Sequence, residues 1–318
     1  MQMTAQSPSL PMEAAPLAEM SGLSWSNIRD LSLRGRYPAS LSEGLLPDIL
    51  IRILPQLQSL CVRAAPRNTL PRPPILGPSM TSEPIELPDL RSLTVAYPDT
   101  VDAIFNTRAP RLAHLSLSDQ PRHYFSRRAS QYVPEWCAAP ILSASECLGI
   151  LRRMETPLLE SIELVHQADS AEDELLHHLA TYPRLEIVEL HRYREHDPDP
   201  VPHIHVMTAL TAIPRLRRLY LNLDFQEMPP VHNERVRDNT WNARAWVDFR
   251  NAHAQEFLRI LQVCPAFEYL ALLDPEDVCA IWVEYRPAWS QNYDMLFDSI
   301  AAVILRSDGQ RLPHTRRR

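Results

Sequence analysis

The sequence predicts an α/β solenoid, a curved parallel sheet with helices on its convex side, and three observations predict it. One phrase, a small or polar residue or a proline followed by x-L-x-x-L-x-L with aliphatic variation, occurs eight times. Its tail alternates apolar and polar residues, as in Leu93-Thr94-Val95, the period that sends every second side chain to one face of a strand. Helix-like patterns separate the copies, so that a strand and a return helix alternate along the chain.

In chain order the copies read SNIRDLSL from Ser26, PQLQSLCV from Pro55, PDLRSLTV from Pro88, PRLAHLSL from Pro110, PLLESIEL from Pro157, PRLEIVEL from Pro183, PRLRRLYL from Pro214 and PAFEYLAL from Pro265. Proline cannot sit inside a helix and pushes the residue before it towards an extended conformation, so it is read as ending each incoming helix and starting each strand. Stacked in series, such units bury a shared core that none could bury alone. This is the pattern of a leucine-rich repeat, here irregular, over residues 23–305 as one elongated domain. Residues 1–22 are expected to be poorly ordered, and residues 306–318 to form a basic tail ending in Arg316, Arg317 and Arg318.

The uneven spacing of the proline starts implies insertions. Residues 64–86 carry Pro66, Pro71, Pro73, Pro74, Pro78 and Pro84 and are expected to form an extended surface loop, with a PxxP ligand for an SH3-type module as the alternative. Residues 118–140, with Tyr124, Tyr132 and Trp136, are expected to form a second loop that can cover part of the sheet. Helices are expected where Asp99 or Thr100 precedes Val101, Ile104 and Phe105, and where Ser170 and Asp173 give a start like a capping box. Further helices are expected near Glu43–Leu54, Ser145–Met154, His203–Ile213, Asn242–Val263 and Gln291–Leu305, the segment after Pro287 capping the stack.

Composition narrows the function. A net charge of −7 supplies no global attraction to nucleic acid or anionic membrane. No apolar run is long enough to span a bilayer, and Pro8, Pro11 and Pro16 interrupt any secretory leader. Cys61, Cys137, Cys147, Cys264 and Cys279 are odd in number and form no C-x-x-C pair, which points to a reducing cytoplasm or nucleus rather than a disulfide framework or a thiolate zinc site. The six glycines never cluster, so no phosphate-cradling loop can be built. G-x-S-x-G and H-E-x-x-H are absent, and neither an enzyme nor a cofactor is expected. Cys137 or Cys147 with a distant histidine is the one nucleophile pair left open. All 32 basic residues are arginine. Lysine accepts ubiquitin, so a lysine-free chain suits a protein that works beside a ubiquitin ligase, a GC-rich genome being the other explanation.

The stretch IELPDLRSLTV from Ile85, a short helix and then APRLAHLSLSD from Ala109 resemble the leucine-rich-repeat region of F-box proteins abundant in mushroom-forming fungi, and TPLLESIELVH and YPRLEIVELHR are similar to the same family. The resemblance covers residues 23–285 at the level of pattern. It implies that the repeats choose a substrate while an N-terminal F-box docks to the adaptor of a cullin-based ubiquitin ligase. No separate F-box precedes the first repeat in this sequence. LLPDILIRIL from Leu45 looks like the opening of an F-box helix but runs straight into PQLQSLCV, which reads as a return helix.

In a curved parallel sheet the outward residues form the contact surface. The central outward position of each phrase is Ser32, Cys61, Thr94, Ser116, Glu163, Glu189, Tyr220 and Ala271. Small polar residues fill the first half and charged or aromatic ones the second. Tyrosine and arginine anchor protein interfaces, which places the expected protein-binding site at Glu163, Glu189, His191, Arg218, Tyr220 and Tyr269. Glu163 and Glu189 on adjacent strands resemble a paired acid, read here as a recognition feature. The competing constellation is HRYREHDPDPVPHIH, where His191, His196, His203 and His205 beside Glu195, Asp197 and Asp199 have the ligand types of a divalent metal site and would suit a metal-dependent hydrolase. A proline-broken loop is the simpler reading, and no metal is expected there.

Overall fold

The computed structural model describes residues 9–11, 27–36, 56–65, 72, 74–78, 83–119, 140–195, 200–225, 240–275, 280–287 and 303–306. The elements up to the middle of the chain are β1 (Ser9–Pro11), β2 (Asp30–Arg36), β3 (Ser59–Ala65), β4 (Ile85–Glu86), β5 (Ser92–Ala96), β6 (Thr107–Arg108), β7 (His114–Ser118), β8 (Leu142–Ser143) and α1 (Ala144–Arg153). Then follow β9 (Ser161–Gln167), α2 (Glu172–Leu179), β10 (Ile187–Tyr193), α3 (His203–Leu210), β11 (Arg218–Asn222), α4 (Thr240–Leu261), β12 (Tyr269–Pro275), β13 (Ala280–Tyr285) and β14 (Val303–Arg306). The fold is α/β with a mostly parallel sheet that does not close into a barrel.

All eight phrases become neighbours in that sheet, in chain order: β2, β3, β5, β7, β9, β10, β11 and β12, each parallel to the next. Proline explains how each strand begins. In six phrases the residue before the proline accepts a bond from the leucine or phenylalanine two residues after it: Leu87 from Leu90, Ala109 from Leu112, Thr156 from Leu159, Tyr182 from Leu185, Ile213 from Leu216 and Cys264 from Phe267. Proline therefore occupies the second position of a β-turn, where its fixed φ is already correct and its missing N–H costs nothing.

The strand that follows is attached in the same way each time. One carbonyl of the preceding unit accepts two successive N–H groups: Arg29 from Gln58 and Ser59, Gln58 from Arg91 and Ser92, Arg91 from Ala113 and His114, Ala113 from Glu160 and Ser161, Glu160 from Glu186 and Ile187, Glu186 from Arg217 and Arg218, and Arg217 from Glu268 and Tyr269. That junction sets the register. It aligns Leu31, Leu60, Leu93, Leu115, Ile162, Val188, Leu219 and Leu270 as one row, all buried in a single core cluster that runs the length of the sheet. Helices α1 to α4 pack each against the next on this leucine side. A capping box between Ser143 and Glu146 starts α1.

Several expectations are corrected. Within residues 1–22, Ser9–Pro11 pairs parallel with β2. Within the 64–86 insertion, Ile75 is 2 % exposed and joins the core, while Pro78, Glu83 and Glu86 are exposed. The Asp102 carboxylate accepts the Ile75 and Leu76 N–H groups, and Arg72 pairs with Glu146 at 2.5 and 2.8 Å. Between β5 and β6 there is only a 3₁₀ turn, Ala103–Phe105, capped by Asp102. The start of α2 has no side-chain cap from Ser170; Asp169 instead accepts the Ala171 N–H at 2.8 Å. Residues 303–305, expected as the end of a helix, belong to β14, a strand antiparallel to β13. The expected helices at 43–54 and 291–302 and most of the 118–140 loop lie outside the described residues.

Candidate protein-binding face

Because the leucine rows occupy one side of the sheet, alternate residues of every phrase stand on the other. The register aligns them as expected: Ser32, Cys61, Thr94, Ser116, Glu163, Glu189, Tyr220 and Ala271 each lie beside the next. A second row runs Asp30, Ser59, Ser92, His114, Ser161, Ile187, Arg218 and Tyr269. The six expected site residues are thereby brought together, Glu163, Glu189 and Tyr220 in one row, Arg218 and Tyr269 in the other, and His191 two residues along β10 from Glu189.

They are not equally accessible. Glu163 and Glu189 lie half-buried in a groove of about 430 Å³ that extends to Thr94 and Ser116 on one side and to Arg218 and Tyr220 on the other. Two carboxylates in direct register repel each other. Each has a compensating contact: the Ser116 hydroxyl donates to Glu163 at 2.7 Å, and His191 Nε2 lies 3.1 Å from Glu189 Oε1. His114, on the groove wall, has its pKa pushed below the usual imidazole range by burial against the pull of Glu160, so it adds no charge at neutral pH.

Arg218 is held from the edge. Its Nε donates to Glu268 at 2.8 Å, the bond that raises its pKa, and its guanidinium carbon sits 5.8 Å from the Tyr269 ring centre. Arg217 joins the same carboxylate and also donates to Glu186 at 2.9 Å.

Three of the expected residues are packed rings. His191 is 1 %, Tyr220 3 % and Tyr269 8 % exposed. Tyr220 and Tyr269 join Tyr193, Leu273 and Trp282 in a second apolar cluster on this face. Trp282 meets His191 and Tyr220 edge-to-face, with ring centres 5.5 and 5.4 Å apart. The Tyr220 and Tyr269 hydroxyls bond to each other, and burial, then that bond, raise the Tyr269 pKa. Trp282 is the residue that sequence reasoning missed. Its segment, AIWVEY, was left outside the phrases, although a six-residue run rich in β-branched and aromatic residues is a strand signal.

Among the described residues, the histidines of the histidine-rich segment contact three different carboxylates. His191 faces the groove side, His205 Nε2 lies 2.6 Å from Asp173, and His203 Nε2 lies 3.4 Å from Glu256; His196, Asp197 and Asp199 are outside the described residues. Cys147 is fully buried, and burial raises its thiol pKa, the reverse of what a nucleophile requires. No helix among the described residues is long and apolar enough to cross a membrane.

Fold and face define an α/β protein with a long parallel sheet, apolar on its helix side and carrying a polar groove on the other. No family model, no curated protein and no solved structure matches the chain.

Proposed function

We propose that this chain is a leucine-rich-repeat solenoid that binds another protein through the groove on the concave face of its sheet, without catalysis of its own. The observation that carries the reading is the repeated junction, one carbonyl bridging two N–H groups of the next unit at each of seven successive steps. A junction that repeats from each unit to the next supports the solenoid reading. The groove draws residues from six neighbouring strands, β3 to β11. At about 4.8 Å per strand that is a span of roughly 24 Å, suited to a protein segment. Paired carboxylates at its centre favour a partner that presents a basic side chain there.

The resemblance to fungal F-box proteins and the lysine-free composition extend the proposal to substrate recognition for a cullin-based ubiquitin ligase, in cytoplasm or nucleus. A free-standing interaction scaffold is the alternative. Co-purification from the native organism separates them, because a ligase receptor brings the cullin adaptor with it and a scaffold does not. For the groove itself, Glu163→Gln with Glu189→Gln removes the central charge without changing shape. Recovery of the bound protein is expected to fall about tenfold or more, and unchanged recovery rejects this face.

A further inference from the structure

Helices α3 and α4 meet through an aromatic layer that includes two histidines. His253 stacks on Phe225 at 4.8 Å with rings 5° apart, and on Phe257 at 5.7 Å. His203, the first residue of α3, lies 4.6 Å from His253 between ring centres. Glu256 stands three residues after His253, on the same face of α4. From the two helices, His203, His253 and Glu256 each bring one donor atom to the same place, all within 4.8 Å of one another.

Two distances say what that point can hold. His203 Nε2 and His253 Nδ1 each lie 3.4 Å from the same carboxylate oxygen of Glu256, Oε2. The His253 contact is a long hydrogen bond, beyond the roughly 2.7–2.9 Å of a charge-assisted N–H···O bond. Ligand atoms about 2.05 Å from a tetrahedral zinc ion are separated by about 3.3 Å. The orientation also agrees: His203 Nδ1 lies 3.1 Å from the Val201 carbonyl and donates to it, which leaves Nε2 as the ring nitrogen turned towards Glu256. The stacked neighbours of His253 fix its ring plane before any ion arrives.

We propose that His203, His253 and Glu256 bind one divalent transition-metal ion of the zinc class, clamping α3 to α4. Two neutral imidazoles and a carboxylate are the ligand set of an accessible zinc site, three protein ligands with a fourth place for water. Solvent reaches that place, since the Glu256 side chain is 43 % exposed. This site is separate from the groove and independent of its function. The other histidine–carboxylate group, Glu163, Glu189 and His191, has contacts of 2.7 and 3.1 Å that its side chains satisfy without an ion.

The test uses the full chain without an affinity tag, stripped by chelator and titrated calorimetrically with zinc chloride. One equivalent is expected to bind and to raise the melting temperature. Glu256→Ala and His203→Ala, both at partly exposed positions, are each expected to weaken binding about 100-fold or more, with metal-free melting temperatures near that of the parent. His205→Ala, at a residue that contacts Asp173, leaves affinity unchanged. Cobalt in place of zinc gives a visible absorption band with the parent and none with Glu256→Ala. Absence of zinc binding by the stripped parent overturns the proposal, as does binding that survives both substitutions. Loss of binding in Glu189→Gln instead would place the ion in the groove and equally overturn it.

Discussion

Between β3 and β9 the outward row of the sheet is Cys61, Thr94, Ser116 and Glu163; from β11 onward it is Tyr220 and Ala271, closed over by Trp282 from β13. Backbone pairing is parallel and in register across both regions up to β12, so the strands alone do not decide what the face can do. Side-chain size does. Strands stand about 4.8 Å apart, too far for serine and threonine to cover their neighbours and close enough for tyrosine and tryptophan to meet edge-to-face. From β11 onward the central row thus belongs to a second core, which also takes in Ala96, Tyr97 and Val165 at the strand ends, and the central row before it is a groove with carboxylates in it.

Substitutions can break this comparison, and the largest effect is expected where the second core closes. Trp282→Ala removes the ring that contacts both His191 and Tyr220. It is expected to cost about 3–5 kcal/mol in urea unfolding; a loss under 1 kcal/mol would mean that the aromatic end is as open as the middle.

The helix side supplies a contrast in acid. Glu172 on α2 receives Arg192 Nε and Nη2 at 2.7 and 2.9 Å and lies 3.3 Å from His166 Nε2. Burial alone would raise its pKa, but the bonds from His166 and Arg192, with the arginine charge, outweigh that and hold it at about 2 against an ordinary 4.5. A depressed carboxylate stabilises the fold fully above pH 4.5 and loses that contribution as pH falls towards 2. The contribution is on the order of 3 kcal/mol. Denaturation midpoints of Glu172→Gln should therefore vary less than those of the parent between these limits, and parallel curves would contradict the assignment.

Smaller effects sharpen the boundary. Tyr220→Phe leaves the buried Tyr269 hydroxyl without its partner and is expected to cost about 1–2 kcal/mol. Thr94→Ala, in the open middle, is expected to change stability by less than about 0.5 kcal/mol.

The proline phrases made the order, direction and register of eight strands legible, because alternating apolar residues have only one face to bury. Proline's own part was half legible: its extended predecessor could be read, but its place in a β-turn depends on Leu87, Ala109 and their counterparts closing on a residue three positions later. The alternation also put the six expected residues on the side of the sheet opposite the leucine rows, where the register has them. Their accessibility was not legible, since the burial of Tyr220, Tyr269 and His191 depends on β13, a strand outside the repeat that no phrase announces. His253 and Glu256 were likewise passed over, because their relation to His203 arises only when α3 packs on α4.

The most direct test of the binding account is photo-crosslinking in extracts of the native organism, with a photoreactive residue placed at Thr94 or Ser161 in the groove, or at Val263, 71 % exposed beyond the end of α4. The account predicts one and the same crosslinked protein from both groove positions and none of it from Val263. Crosslinking of that protein from Val263 with none from Thr94 and Ser161 would contradict it.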